Sequence, residues 1–353
     1  MQHHHGGDVE SYTRKYGRAP IDFSANVSPL GLPEGVRRAA AASLAHASEY
    51  PDPLCRRLRE AIAAHEGLEP GQVVCGNGAA DLIYRLTLSE RPRRALLTAP
   101  TFAEYEAALA TVGCRTDFHL LTAENGFGLT ERILADLTPE TDMVFLCQPN
   151  NPTGRLADRE LLLSVLEKCR AVGARLVMDE CFIGLLDAPG SFSLRDRLNA
   201  YPNLLILRAF TKLYAMPGLR LGYALSSDAA LLGRLCEAAQ PWAVSLPAQA
   251  AGIAALGETA YVREVLSLLR AERPFLTGEL TRAGAEVLGA SANYVFFRSP
   301  DAKLCEKLLD RGILLRDCSN YRGLGPGYCR AAVRTHADNL RLAQAVRDIL
   351  NPD

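Results

Sequence analysis

A chain of 353 residues, 48% hydrophobic and 22% charged, is too long for one small core and has the make-up of a soluble globular enzyme with a large and a smaller domain. Its formal net charge of −1 gives no footing for nucleic acid or an anionic membrane. The absence of a spanning apolar run or an apolar signal core, with ten cysteines placed singly and never as Cys-x-x-Cys, points to a reduced, cytoplasmic protein.

Residues 1–35 are rich in Gly, Pro and Asn and show little helical period, which predicts an extended arm. His3-His4-His5 within it reads either as a tag remnant or as a native tract. Pro33 is placed to start an alanine-rich amphipathic helix over 34–47. Tyr50-Pro51-Asp52-Pro53 must break it, and a second helix is expected over 54–65.

From there short apolar runs alternate with polar turns and helical stretches. Expected strands at 72–75, 95–98, 143–147, 176–178 and 204–207 are followed by helices near 81–88, 103–112 and 159–172. That alternation predicts an α/β fold with a mostly parallel sheet covered on both faces, and ligands beyond the carboxyl ends of its strands. The last third changes: long helices near 247–257 and 261–283, strands at 293–298, 313–316 and 329–334, and helices near 302–311 and 338–350. The expected division is therefore an arm (1–35), a large domain (36–245) and a small α+β domain (246–353).

The polar residues at the strand ends carry the chemistry. Gly76-Asn77-Gly78-Ala79-Ala80 joins a strand to a helix, where backbone N–H groups and the helix dipole suit an anion. It matches neither the dinucleotide nor the P-loop pattern, and many glycine-rich turns bind nothing. Asp179 ends an apolar run and would serve as a helix cap or as a partner for a protonated pyridine nitrogen. Asn150-Asn151-Pro152-Thr153-Gly154 is a turn that could also place an amide against a ligand. Lys212, delivered by the apolar run from Leu205, could lose its proton and attack a carbonyl, and Arg220 could clamp a phosphate with its planar fork. Arg316 and Arg330, on expected neighbouring strands, could hold two anionic groups of one substrate, although surface salt bridging is arginine's commoner fate.

In this order, Asn151-Pro152-Thr153-Gly154, Asp179, Lys212 and Arg220 resemble the fold-type I pyridoxal phosphate (PLP)-dependent aminotransferase superfamily, in its histidinol-phosphate aminotransferase-like branch. The resemblance spans the chain. It implies that Lys212 carries PLP covalently, that Asp179 meets the pyridine nitrogen and that Asn151 touches the ring hydroxyl. It further implies a phosphate held by Arg220, Thr211 and the backbone of Gly78, Ala79 and Ala80, a ring stacked on Phe102, and a Tyr50 that reaches the partner subunit's cofactor in a homodimer.

Within the branch, His5-Gly6-Gly7, Asp22-Phe23-Ser24-Ala25-Asn26, Asp179-Glu180-Cys181-Phe182 and Asn320-Tyr321 with Gly323-Leu324 are similar to the L-threonine-O-3-phosphate decarboxylases of cobalamin biosynthesis. That resemblance implies a substrate bound by His5, Gly6, Asn26, Asn151, Arg316, Tyr321 and Arg330. The alternatives it leaves are decarboxylation of L-serine O-phosphate and amino transfer on a substrate such as histidinol phosphate. A PLP-fold module without catalysis is a further alternative, disfavoured by the retained Lys212, Asp179, Asn151 and Arg220. Phe182 stands where relatives usually have tyrosine, which removes a hydrogen bond to the ring oxygen and leaves Asn151 to do more. Ala209 stands where a phosphate-binding serine is common, so weaker cofactor binding by about one hydrogen bond, ~0.5–1.5 kcal/mol, is expected.

Overall fold

Apolar runs of four to six residues, bounded by turns, assemble a seven-stranded sheet in a computed structural model that describes residues 6–352. From one edge the strands are Val73–Gly76, Gly222–Leu225, Leu204–Ala209, Arg175–Asp179, Met143–Cys147, Arg94–Ala99 and Arg115–Leu120. Gly222–Leu225 runs antiparallel to both neighbours, and every other pairing is parallel. Parallel strands buried on both faces need continuous apolar sequence, and Met143–Cys147 is buried at every position.

Helices cover both faces, and their ends are written in the sequence. Asp158 caps Arg159–Val172 by accepting from the Glu160 N–H at 2.8 Å, and Gly173 closes it at φ 80°. Its buried Leu162, Val165, Leu166 and Cys169 follow the helical period. Leu246–Leu256 is capped by Ser245 and turns small residues, Ala248, Ala251, Gly252 and Ala255, into the same core as Val36 and Leu58. A Cβ on Gly252 would lie 2.4 Å from a Leu221 methyl, so only glycine lets this helix approach.

A four-stranded antiparallel sheet follows, in the order Arg316–Asp317, Tyr328–Ala332, Tyr294–Arg298, Glu286–Ser291. Helices Thr259–Arg282 and His336–Leu350 close its core through Val265, Leu269, Leu276, Leu342 and Val346.

Three expectations change. The arm is not extended throughout, because Val9–Tyr16 is a helix. Asp8 caps it by accepting from the Ser11 N–H, Tyr12 stacks on Tyr16 at 4.4 Å, and Gly17 ends it in the left-handed region. Two turns with one buried residue are too short to display a period. The expected strand over 313–316 is two elements: Ile313–Leu314 pairs in parallel with Ile21–Asp22, and Arg316–Asp317 joins the four-stranded sheet. Strands Arg115–Leu120, Gly222–Leu225 and Glu286–Ser291 were not expected: the first is mostly polar, with only Phe118 and Leu120 apolar, and the other two carry a glycine, Gly222 and Gly289, within a short apolar run.

Among the described residues no helix is long and apolar enough to cross a membrane. All ten cysteines are free.

Candidate active site

The carboxyl ends of the parallel strands open into a cavity of about 430 Å³ between the two larger sheets and the arm. Thirteen residues expected at the site line it: Lys212, Asp179, Asn151, Arg220, Thr211, Ala79, Ala80, Phe102, Gly6, Asn26, Arg316, Tyr321 and Arg330. Gly78 lies beside it. Tyr50 does not reach it and stands 77% exposed, stacked on Trp242 with ring centroids 4.2 Å apart. His5 lies outside the described residues.

Lys212 follows the strand Leu204–Ala209 by three residues, and its carbonyl accepts from the Ser28 N–H at 3.0 Å, which ties the arm to the lysine's own backbone. Its amine sits 5.6 Å from the centroid of Phe182. Burial pulls its pKa from the ordinary 10.5 down to about 8; the Arg330 and Arg220 guanidiniums push the same way, against Cys181 and Asp179. A lysine so placed is neutral often enough near neutral pH to act as a nucleophile.

Asp179 is the last residue of its strand and is buried. Its Oδ2 accepts from the Tyr105 hydroxyl at 2.5 Å and its Oδ1 from the Cys181 N–H at 2.9 Å. Tyr105 is itself held well above its ordinary pKa, by burial first and then by Asp179, so it stays a donor. Tyr105 went unnoticed in the sequence; its spacing of three from Phe102, with the rings edge-to-face at 5.6 Å, was the available signal.

The anion cradle is formed by the helix Ala79–Glu90. Its N-cap is Gly78, at φ 83°, which offers no side chain to the first-turn amides and leaves them for a ligand. A Cβ at Gly78 would lie 2.6 Å from Arg220 Nη2, so the glycine also makes room for the guanidinium. Arg220 itself sits in the left-handed region at φ 57° and donates to the Pro217 carbonyl at 3.2 Å. The neighbouring Gly222 was also missed: a Cβ there would lie 2.6 Å from the Ala79 nitrogen.

The opposite wall is cationic. Arg316 and Arg330 face each other directly in the antiparallel register. Arg330, 6% exposed, donates to Asn151 Oδ1 and to the Ser24 carbonyl, the latter at 2.7 Å. That contact orients the Asn151 amide and leaves its Nδ2 for a ligand. The Arg330 Nε has no partner. Arg316 donates to Asn320 Oδ1 at 2.9 Å and lies 5.0 Å from the centroid of Tyr321. Asn26, 1% exposed on the arm, has neither amide atom partnered among the described residues, a state that costs stability unless something fills the cavity.

Gly6 packs so closely that a Cβ would fall 2.2 Å from the Ser24 carbonyl oxygen, and the Gly7 N–H donates to Ser24 Oγ at 2.7 Å. Ser24, Glu104, Cys147 and Cys181 also line the cavity, although none was expected to bind cofactor or substrate. Ser24 uses its carbonyl, which no side-chain pattern reveals.

PLP fits these residues. The half-buried amine, the buried carboxylate, the side-chain-free helix start and its guanidinium match the aldehyde, ring nitrogen and phosphate that such a cofactor presents. Comparison with known proteins agrees. The model of the aminotransferase class I and II family matches residues 18–346. Threonine-phosphate decarboxylase of Salmonella typhimurium is 38% identical over 98% of this chain and 96% of its own length. The histidinol-phosphate aminotransferase of Clostridium acetobutylicum has a solved structure with a TM-score of 0.88 at 29% identity, covering 94% of this chain and 99% of that one. The Sinorhizobium meliloti enzyme of that name, solved with pyridoxal 5'-phosphate, superposes with a TM-score of 0.86 at 23% identity, over 97% and 94% of the two chains, and so shares the fold. The chain belongs to the class I and II aminotransferase family, whose enzymes work with PLP.

Proposed function

We propose that this member of the aminotransferase family is a PLP-dependent carboxy-lyase that converts L-threonine O-3-phosphate to (R)-1-aminopropan-2-ol O-phosphate, for the aminopropanol linker of cobalamin. The observation that carries the reading is the pair Arg316 and Arg330, opposed in register on the cavity wall across from the lysine side. Two fixed guanidiniums suit a small substrate with two anionic groups, a carboxylate and a phosphate. The 38% identity to a threonine-phosphate decarboxylase supports it.

In this reading Lys212 would carry PLP, Asp179 would meet the ring nitrogen and Asn151 Nδ2 the ring hydroxyl. Thr211, Arg220 and the backbone at Gly78, Ala79 and Ala80 would hold the phosphate, with Phe102 against the ring. PLP when bound supplies an electron-withdrawing ring that weakens the bonds at the substrate's Cα. The chain's own residues decide which bond is offered. Arg330 anchors the substrate carboxylate from a position already fixed by Asn151 and Ser24, so no reorganisation is needed on binding. Arg316, with Tyr321 and His5, anchors the phosphate, while Gly6 and Asn26 close the arm side. Lys212, with a pKa near 8, can hold the proton that replaces the lost carboxylate.

The division of labour is an arm (1–35), a cofactor-binding unit (36–245) and a substrate-gripping unit (246–353), in a cytoplasmic homodimer. The exposed Tyr50–Trp242 stack supports the dimer, beside a groove lined by Leu44, Pro51 and Trp242. In it Tyr50 would reach the partner subunit's cofactor.

Purified protein given PLP and L-threonine O-3-phosphate should release CO2 and form the phosphorylated amino alcohol. Amino transfer to 2-oxoglutarate without CO2 release would overturn the proposal in favour of an aminotransferase acting on a phosphorylated substrate such as histidinol phosphate. L-serine O-phosphate, lacking one methyl, should be used at a lower kcat/KM, since a methyl in a pocket is worth about 1–3 kcal/mol.

A further inference from the structure

Beneath the cavity lies a buried polar cluster to which neither the family match nor the proposed chemistry gives a task. Side chains alternate along a strand, so Asp179 and Ala209 line the cavity while their neighbours Glu180 and Arg208 do not. Glu180, 1% exposed, accepts from Arg208 Nη2 at 2.7 Å, from Ser193 Oγ at 2.8 Å and from the Leu194 N–H at 3.1 Å. Arg208 Nη1 lies 3.6 Å from Glu66 Oε1, which accepts from the Tyr223 hydroxyl at 2.6 Å.

These contacts join three of the strands that support the cofactor side. The Glu180 N–H donates to the Leu207 carbonyl at 2.9 Å, Arg208 opposes Tyr223, and Ala209 opposes Gly222. Gly222 in turn sits against the Ala79 amide. One guanidinium thus spans the strand that ends in Asp179, the strand that leads to Lys212 and the strand beneath the anion cradle.

We infer that Arg208 and Glu180 are positioning residues: from beneath the cavity they fix the spacing of Asp179, Lys212 and the Ala79 amide to which PLP must fit. The inference rests on the PLP reading of the site above. A buried ion pair is a poor source of net stability, since neutral residues of like shape in place of both partners are often tolerated, whereas removing one partner is not. A pair retained at this place is better explained by geometry than by stability.

The test compares cofactor-free wild type, Arg208→Lys and the double variant Glu180→Gln/Arg208→Met. The readouts are melting temperature, PLP dissociation constant by equilibrium dialysis, and the pH midpoint of the absorbance band of bound PLP. The double variant should melt within a few degrees of wild type yet bind PLP about tenfold more weakly, with a displaced midpoint. Arg208→Lys, which keeps the charge but not the reach to both carboxylates, should recover part of that loss. A double variant that folds and keeps the wild-type dissociation constant and midpoint overturns the inference, and so does one that fails to fold, because the pair is then scaffold. Wild type that takes up no PLP overturns the reading of the site itself, and this inference with it.

Discussion

The two walls of the cavity are built in different ways. On the sheet side, Asp179, Lys212 and the cradle at Gly78 each sit at or just past the carboxyl end of a strand of the large sheet, held by pairing with adjacent strands. On the other side the cations are set by contacts between distant parts of the chain. Arg330 reaches the Ser24 carbonyl 306 residues away, and Tyr12 donates to the Leu309 carbonyl 297 residues away. Ala332 N–H donates to the Phe23 carbonyl, and Phe23 N–H to that of Leu314, so the arm is stitched into the small sheet's side of the molecule. On the proposed function the difference separates two tasks: a pre-shaped cofactor seat on one wall, and a grip for the substrate that exists only when both ends of the chain meet.

Substitutions on the two walls should therefore fail differently. Lys212→Ala should have the largest effect, a loss of CO2 release by more than about 10³-fold, since nucleophile and proton carrier go together. The same lysine gives a pH signature. Its folded pKa is lowered, so the charged form is penalised fully below about pH 8, and the penalty fades as pH rises toward 10.5. Lys212→Met should raise the melting temperature of cofactor-free protein most below pH 8. The rate of PLP capture by wild type should rise with a midpoint near pH 8, and a midpoint near 10.5 would mean an unshifted lysine.

Next in size is Arg330→Met. It removes a buried, hydrogen-bonded cation, and about 2–5 kcal/mol of substrate recognition should go with it. PLP affinity should change far less, and an equal loss of both would erase the distinction between the walls. Asn26→Ala sharpens the same contrast: with no partner for its amide, the variant should melt no lower than wild type, while KM rises by about one hydrogen bond, ~0.5–1.5 kcal/mol. An effect of similar size belongs to the cofactor wall. Tyr105→Phe deletes one donor to Asp179 and should weaken PLP binding about 2- to 12-fold, by dialysis, with KM for substrate unchanged.

How much of this was legible in the sequence follows the same divide. Lys212, Asp179 and Asn151 could be read because strand-end position is local: an apolar run stops and polar residues follow, and Arg220 could be read from its spacing of eight beyond Lys212. The opposition of Arg316 and Arg330 could be read as neighbouring strands, but not their register, nor that Arg330 is fixed by Asn151 and Ser24. Backbone acceptors such as the Ser24 carbonyl leave no mark in side-chain pattern. Tyr105 and Arg208 were hidden by sitting inside ordinary amphipathic or apolar stretches, and Glu180, though part of a quoted motif, gave no sign of its pairing with Arg208. The short arm helix and the break at Leu315 are tertiary outcomes, decided by what Tyr12 and Ile313 pack against.

The parallel pairing of Ile21–Asp22 with Ile313–Leu314 also sets an order of events during synthesis. The arm leaves the ribosome first but finds its partner strand last. At about 5–20 residues per second, the wait is on the order of 15–60 s. Once Leu225 is made the cofactor seat has all of its strands, while Ile21–Asp22 still lacks the strand it pairs with. A chain stalled after the large sheet should thus capture PLP and yet be unable to consume substrate, which makes the last forty residues a completion signal for the enzyme.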